Sequence, residues 1–192
     1  MPRPPILPAI AWPDIFASGA GFDEWLSKPA DDDEANKCEA MLREVSELPL
    51  DASVAGFLRA LPRTVHVIVI AEPWCGDVVR HVPVLERMAR ETEKLRTAYI
   101  TRQQHPDVFT RYLTNGGEAI PKFVFLSEAW TECGNWGPMP TEARKIIARG
   151  NGAGDVGAAR KRVTTFYESD PRRTVVVEEL AELLAIATCD AP

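Results

Sequence analysis

The pattern of apolar and polar residues along the chain predicts short strands between longer helices. Runs rich in β-branched and aromatic residues at 65–71 and 122–126 are typical of buried strands, and a third strand is predicted at 96–100. A helix predicted over 76–93 joins the strand at 65–71 to the strand at 96–100, which makes a β-α-β unit with parallel strands. Residues 131–136 follow a four-residue turn and predict an antiparallel hairpin at the sheet edge.

Helical periodicity covers most of the remaining chain. Cys38, Met41 and Val45 recur at three- and four-residue spacing. This spacing predicts an amphipathic helix over 33–48. The last helix, predicted over 174–188, has an apolar face that packs either on the core or on a neighbouring subunit, as in a homodimer. The other helices are predicted over 22–26, 53–61, 106–114, 141–149 and 155–167.

A glycine cluster at 150–154 separates two of the predicted helices. A phosphate-binding loop would need a preceding strand and a Lys-Ser/Thr pair after the glycines, and this segment has neither. We therefore interpret it as a flexible helix junction.

Composition and charge fit one soluble domain with additions. The chain has 192 residues, of which 45% are hydrophobic and 26% charged, and its net charge is −6 at pH 7. This charge disfavours nucleic-acid and anionic-membrane surfaces, which need a concentrated basic patch. Prolines at 2, 4, 5, 8 and 13 interrupt the apolar start of the chain and argue against a signal peptide. We expect a cytosolic protein that binds neither nucleic acid nor a membrane.

One of four widely separated cysteines has a reactive setting. A reducing compartment would keep Cys38, Cys75, Cys133 and Cys189 as thiols. The three histidines do not cluster with them in sequence, so no metal site is predicted. Cys75 alone ends a strand and begins a helix, where backbone N–H groups and the helix dipole favour the thiolate.

Three landmarks around this cysteine resemble the thioredoxin superfamily. Trp74-Cys75-Gly76 ends a strand, and Pro83 lies eight residues further along the next helix. Pro121 lies 46 residues after the cysteine and directly before an apolar strand. In the superfamily, a strand-ending Trp-Cys-Gly-Pro-Cys motif lies beside an Ile-Pro bond held in the cis form.

The resemblance implies a fold and a domain organisation. It covers roughly residues 60–150 and implies an α/β fold, a thioredoxin-like three-layer α/β/α sandwich with a mixed central sheet and helical extensions at both ends. We expect an N-terminal arm and helical extension over 1–52, a thioredoxin-like core over 53–150 and C-terminal helices packed on that core over 151–192. A second full domain would be cramped in a chain of this length, so these parts form one compact domain.

Departures from the superfamily pattern bear on the chemistry. The motif here is Cys75-Gly76-Asp77-Val78, and Val78 replaces the second, resolving cysteine, so the site is a monothiol. The charge of Asp77 opposes the thiolate that the helix terminus favours, and the sequence leaves this balance open. Val69 occupies the position of the buried acid that accepts a proton in thioredoxins.

The resemblance also implies a groove for an extended peptide. In the superfamily, the backbone before the cis proline, here Ile120, pairs with a peptide beside the sulfur. Trp136 at the end of the hairpin either joins this docking surface or caps the sheet edge. The predicted catalytic residue is Cys75, and the predicted substrate-binding residues are Trp74, Gly76, Asp77, Ile120, Pro121, Trp136 and Gly137.

The sequence is compatible with two functions of different classes. In the first, Cys75 is the nucleophile of a monothiol thiol–disulfide oxidoreductase that acts on a protein or a low-molecular-weight thiol or disulfide. In the second, the fold is a non-catalytic protein-binding module, which Val78 and Val69 favour. Neither function requires a cofactor. A peroxiredoxin is a weaker alternative because Glu72 stands where Thr is expected, and residues 122–125 replace the glutathione-gripping segment of monothiol glutaredoxins.

Overall fold

The computed structural model describes residues 6–189, which form a central sheet with helices on both faces. Residues 1–5 of the predicted N-terminal arm and 190–192 of the predicted C-terminal segment lie outside this range. The strands are β1 Val65–Ile70, β2 Leu95–Ile100, β3 Lys122–Leu126 and β4 Glu132–Trp136. The helices are α1 Trp12–Ser18, α2 Phe22–Leu26, α3 Asp32–Glu47, α4 Ala52–Arg59, α5 Gly76–Ala89, α6 Pro106–Phe109, α7 Thr141–Gly152, α8 Val156–Ser169 and α9 Thr174–Ala187.

The four strands form a mixed sheet in the order β2-β1-β3-β4. β1 is parallel to β2 and antiparallel to β3, and β3 forms the predicted antiparallel hairpin with β4. In this register Val69 lies between Tyr99 and Phe123. Every residue of β1 is buried, which is typical of a central strand covered on both faces. The layered α/β architecture agrees with the sequence prediction.

One face of the sheet packs against α5. Successive side chains of a strand point to opposite faces, so Val67, Thr97 and Phe125, which are in register, share one face. The hydroxyl of Thr97 donates a hydrogen bond to Glu86 of α5, at 3.2 Å. Helix α9 packs on the same side, against β3 and β4, and α3 packs on the outside of α5.

The opposite face is covered by α1 and by the segment after α6. His66 on this face contacts the ring of Phe16 in α1, with 5.2 Å between ring centroids. Lys122 on the same face donates a hydrogen bond to Thr114, at 2.6 Å. Both faces of β1 are therefore covered. A short turn after its carboxyl end leads to Cys75 at the start of α5.

The edge of β2 is met by the chain itself. Ala20, in the link between α1 and α2, exchanges two backbone hydrogen bonds with Tyr99, at 2.9 and 2.8 Å. Trp25 of α2 stacks on the ring of the same tyrosine, with centroids 4.7 Å apart. The N-terminal helices are thus joined to the sheet through one residue of its edge strand.

Several element boundaries differ from the sequence prediction. Helix α1 was not predicted, because the prolines before it suggested an irregular arm; Pro13 lies in the first turn, where its missing N–H is tolerated. Helix α5 ends at Ala89 instead of 93, since the following residues turn towards β2. The helix predicted over 106–114 is α6 followed by a 3₁₀ turn, Thr110–Tyr112.

The glycine cluster lies partly within a helix, whereas the sequence predicted that all of it joins two helices. Gly150 and Gly152 both belong to α7, and only residues 153–155 separate it from α8. A Cβ atom on Gly150 would lie 2.3 Å from the Cβ of Ala159 in α8, whereas one on Gly152 would meet nothing within 4 Å. The glycine at 150 therefore permits the close approach of two antiparallel helices.

We expect Gly150→Ala to lower the free energy of unfolding by about 1–3 kcal/mol, because the added methyl group overlaps a packed neighbour. Gly152→Ala is the matched control in the same helix, and we expect it to change stability by less than about 1 kcal/mol. Urea unfolding followed by circular dichroism would measure both. Equal midpoints for the two variants would contradict the packing role of Gly150.

Candidate functional site

Cys75 is the N-cap residue of α5, with φ −81° and ψ 126°. The strand β1 and a short turn bring it to this position, and its carbonyl accepts the N–H of Val79 at 3.0 Å to begin the helix. The side chain is half-buried. The first N–H groups of a helix point towards its N-cap, so the thiol lies where negative charge is stabilised.

The sulfur faces the segment that precedes β3. Cys75 Sγ lies 3.7 Å from the carbonyl oxygen of Ile120. The peptide bond between Ile120 and Pro121 is cis in the structure, and both residues are buried. The thiol of Cys75 and the backbone of this segment therefore lie together, where β1, α5 and β3 meet.

Gly137 holds the Pro121 segment from the other side. Its φ is +117°, and a Cβ atom at this position would lie 2.1 Å from the carbonyl oxygen of Pro121. Such a contact is impossible for any residue with a side chain, so the end of β4 can approach this segment only through a glycine. Gly137 is buried, and its backbone packs against the carbonyl of Pro121.

Lys122 ties these two backbone segments together. Its ammonium group donates hydrogen bonds to the carbonyl of Gly137, at 3.2 Å, and to the hydroxyl of Thr114, at 2.6 Å. Burial, together with the positive charge of Arg144, lowers the pKa of Lys122 to about 8. The ammonium group of Lys122 is therefore directed into the protein, where it binds the Gly137 carbonyl and Thr114.

Trp74 forms the exposed side of the site. About half of its surface is accessible to solvent. Its carbonyl accepts a hydrogen bond from Lys37 of α3, at 3.0 Å, and its ring lies 5.5 Å from the guanidinium carbon of Arg102. Contacts from two distant parts of the chain therefore fix the residue next to the cysteine.

Two groups of ion-paired side chains contact Trp74, one at its ring and one at its carbonyl. Arg102 forms an ion pair with Glu72, with Nε 2.9 Å from a carboxylate oxygen, and a second with Glu118, at 2.7 Å. On the other side, Lys37 forms an ion pair with Asp33 within α3. We call these five residues, Asp33, Lys37, Glu72, Arg102 and Glu118, the rim.

Asp77 lies in the first turn of α5 and is half-buried. Burial raises the pKa of Asp77, and nearby Arg80 partly opposes this effect. Arg80 is itself directed towards α8: it donates to the carbonyl of Tyr167, at 2.9 Å, and its guanidinium carbon lies 3.9 Å from the centre of that ring. The C-terminal helices thus cover the side of α5 that adjoins the motif.

His81 lies one turn further along α5, on the side covered by α8, and is fully buried. Its Nε2 is 3.2 Å from the hydroxyl of Tyr167. Burial, together with the positive charges of Arg80 and Arg173, lowers the pKa of His81 to about 3. The imidazole is therefore neutral at physiological pH and belongs to the packing between α5 and α8.

Trp136 lies inside the protein. Its ring stacks on Phe123, with centroids 5.1 Å apart, and its Nε1 donates to Glu179 of α9 at 2.6 Å. Only 3% of its surface is exposed. The side chain therefore packs β4 against α9, as in the alternative in which Trp136 caps the sheet edge.

The other cysteines lie apart from this site. Cys38 is buried in α3, Cys133 donates to the carbonyl of Thr131 at 3.2 Å, and Cys189 is exposed after α9. All four cysteines are free thiols. Across residues 6–189, no three or more His, Cys, Asp or Glu side chains are grouped in a way that could hold a metal ion.

Sequence reasoning missed the rim and the role of Tyr167. A spacing of four residues indicates an ion pair between Asp33 and Lys37, but nothing in it indicates that the lysine also reaches the carbonyl of Trp74. Arg102 and Tyr167 are separated in sequence from the residues they contact. One sequence carries no signal for such pairings.

With this geometry established, comparison with known proteins assigns the chain to a family. A sequence profile described as thioredoxin matches residues 25–154, about two thirds of the chain. The chain belongs to the thioredoxin family. This match confirms the predicted α/β thioredoxin-like fold and extends further towards the N-terminus than the landmarks around Cys75 indicated.

Two solved structures share the fold. One is a protein of unknown function from Pseudomonas aeruginosa, which is 16% identical in sequence and has a TM-score of 0.68, over 92% of this chain and 98% of that one. The other is an HIV epitope scaffold, which is 17% identical with a TM-score of 0.67, over 91% of this chain and 98% of that one. Both alignments include the helical extensions as well as the thioredoxin-like core.

No curated protein sequence matches this thioredoxin-family chain significantly. Within residues 6–189, no helix combines the length and apolar character needed to cross a membrane.

The buried His81 predicts a pH dependence of stability. Its pKa is about 3 in the folded protein and about 6.5 when unfolded, so the unfolded state binds more protons between these values. The stability associated with neutral His81 is therefore complete above pH 6.5 and falls as the pH is lowered towards 3. We expect a loss of about 2 kcal/mol at pH 5 relative to pH 7 from this residue.

Urea unfolding at pH 7 and pH 5 would test this expectation. His81→Gln should lose less stability than the wild type over this interval, because glutamine does not titrate. Tyr167→Phe is the matched control, since it removes the hydrogen bond to His81 but keeps the buried imidazole. It should be less stable at both pH values and retain the pH dependence. An unchanged pH dependence in His81→Gln would contradict the assignment.

Proposed function

We propose that this thioredoxin-family protein is a monothiol thiol–disulfide oxidoreductase with Cys75 as its nucleophile. The observation that carries the proposal is the position of a half-buried thiol at the N-cap of α5, 3.7 Å from the carbonyl of Ile120. A helix N-terminus favours the thiolate, and an extended peptide can pair with backbone beside the sulfur. Proposed substrates are proteins or low-molecular-weight disulfides.

The proposed reaction is thiol–disulfide exchange. The Cys75 thiolate attacks one sulfur of the substrate disulfide, the substrate S–S bond breaks, and the other sulfur leaves as a thiolate that takes up a proton. A mixed disulfide between Cys75 and the substrate results. Val78 occupies the place of a resolving cysteine and is fully buried, so resolution falls to an external thiol. Its thiolate attacks the substrate sulfur of the mixed disulfide, the bond to Cys75 breaks, and Cys75 Sγ leaves as the free thiolate.

The exposed face of Trp74 and the segment from Ile120 to Pro121 would bind the substrate on either side of the sulfur. Trp74 offers an aromatic surface of which about half is accessible. The Pro121 segment offers a fixed backbone, because Gly137 and Lys122 hold it from behind. Asp77, two residues after Cys75, lies on the side of α5 that faces α8, and burial raises the pKa of its carboxyl group.

Two buried residues favour a second candidate, a non-catalytic protein-binding module. Val69 and Val78 stand where thioredoxins have a proton-accepting acid and a second cysteine, and both are completely buried. Neither position can exchange protons or electrons with a substrate. In this alternative the groove beside Pro121 would bind a partner without a reaction at Cys75.

The rate of alkylation of Cys75 by iodoacetamide between pH 4 and pH 10 discriminates between these functions. Alkylation is followed at Cys75 by peptide mass spectrometry, and Cys75→Ser provides the blank for the other thiols. For the oxidoreductase, we expect half-maximal reactivity well below pH 8.5, at about which a free cysteine is half ionised.

A second measurement completes the test. Incubation with a peptide disulfide should give a mixed disulfide on Cys75 that added thiol reverses, and no such adduct should form in Cys75→Ser. Half-maximal alkylation at or above pH 8.5, or labelling that requires unfolding, would contradict the oxidoreductase and leave the binding module.

A further inference from the structure

The two cations of the rim are already engaged by groups of the protein. Arg102 donates to Glu72 through both its backbone N–H and its Nε, each at 2.9 Å, and to Glu118 through a terminal nitrogen at 2.7 Å. Its side chain is only 20% exposed. A guanidinium group held between two carboxylates has little capacity left for an anionic group on a substrate.

Lys37 is engaged in the same way. Its ammonium group donates to the carboxylate of Asp33 and to the carbonyl of Trp74. The carbonyl belongs to the peptide unit that joins Trp74 to Cys75, so this lysine braces the loop that carries the nucleophile. Like Arg102, it is therefore already paired with groups of the protein.

Two of the three rim carboxylates face solvent, while the third, Glu72, is only 12% exposed. The side chain of Asp33 is 76% exposed and that of Glu118 is 67% exposed, against 31% for Lys37 and 20% for Arg102. Three carboxylates and two cations leave the rim with a formal charge of −1. Its two exposed charges are both negative: Asp33 lies beside the lysine that binds the Trp74 carbonyl, and Glu118 beside the arginine that lies near the Trp74 ring.

We propose that Cys75 reacts preferentially with disulfides in cationic surroundings, such as peptides with Lys or Arg beside the disulfide, and that Glu118 and Asp33 select them. This inference rests on the proposed function, since it concerns the substrate class of the same thiol. A substrate bound against Trp74 places its flanking groups between these carboxylates. Glutathione disulfide, whose halves each carry two carboxylates and one ammonium group, is disfavoured.

The reagents for the test are three methanethiosulfonates that differ in charge: the trimethylammonioethyl, methyl and sulfonatoethyl compounds. In each case the thiolate attacks the sulfenyl sulfur, the S–S bond of the reagent breaks, and methanesulfinate leaves with the electron pair. The product is a mixed disulfide on Cys75. Quenched reactions followed by peptide mass spectrometry give the rate at Cys75 and, in the same sample, at the exposed Cys189.

The measured quantity is the rate ratio of the cationic to the anionic reagent at Cys75, divided by the same ratio at Cys189. We expect at least about threefold at 10 mM salt and a value near one at 0.5 M, because the Debye length falls from about 30 Å to about 4 Å over this range and the rim charge is then screened. Glu118→Gln should bring the ratio near one at low salt, and Glu118→Lys should invert it.

Glu128→Gln is the matched control. It removes the same charge from an exposed glutamate in the turn between β3 and β4, at the opposite end of the sheet from Cys75. The five residues of β3 separate the two ends by about 17 Å, so the ratio at Cys75 should not change. Equal effects of Glu118→Gln and Glu128→Gln would show that overall charge, and not the rim, sets the ratio.

The outcomes separate this inference from the proposed function. Reaction of Cys75 with all three reagents at a normalised ratio of one would overturn the charge preference and leave the oxidoreductase standing. No reaction of Cys75 with the neutral methyl reagent in the folded protein would overturn the oxidoreductase and the preference with it.

Discussion

The close contact between Gly137 and the carbonyl of Pro121 is the constraint on which the site depends. It admits no side chain at residue 137, and it sets the end of β4 against the start of β3. Lys122 closes the contact by donating to the carbonyl of Gly137 from within the protein. The Ile120 carbonyl opposite the thiol is therefore positioned by backbone packing and a buried cation, not by the cysteine-bearing helix.

The helical extensions contribute to this site from two directions. In the N-terminal part, Lys37 of α3 reaches the carbonyl of Trp74, and in the C-terminal part, Tyr167 of α8 contacts both Arg80 and His81 of α5. The sheet and α5 alone would leave the loop that carries Cys75 and one side of α5 uncovered. The extensions therefore contribute to the surroundings of Cys75 as well as to the packing of the fold.

The fold could be read from the sequence because its signals are local. β1 is an uninterrupted apolar run, and the residues around Cys75 and Pro121 have fixed spacings, so strand, site and topology follow from short segments. The rim could not be read, since the contact of Arg102 with Glu72 and Trp74 depends on how the loop after β2 folds back. Trp136 shows the same limit: its position beside Gly137 suggested a docking surface, while the carboxylate of Glu179 in α9 draws its indole inward.

The bridge between Ala20 and Tyr99 has a consequence for how copies of this protein meet. A thioredoxin-type sheet ends in an edge strand whose unpaired backbone groups can recruit another chain. Here the link between α1 and α2 occupies one end of the β2 edge with two hydrogen bonds, and the exposed Arg96 places a charge beside the other end. The backbone of Ala20 and the charge of Arg96 thus oppose edge-to-edge pairing of two copies at the β2 edge of the sheet.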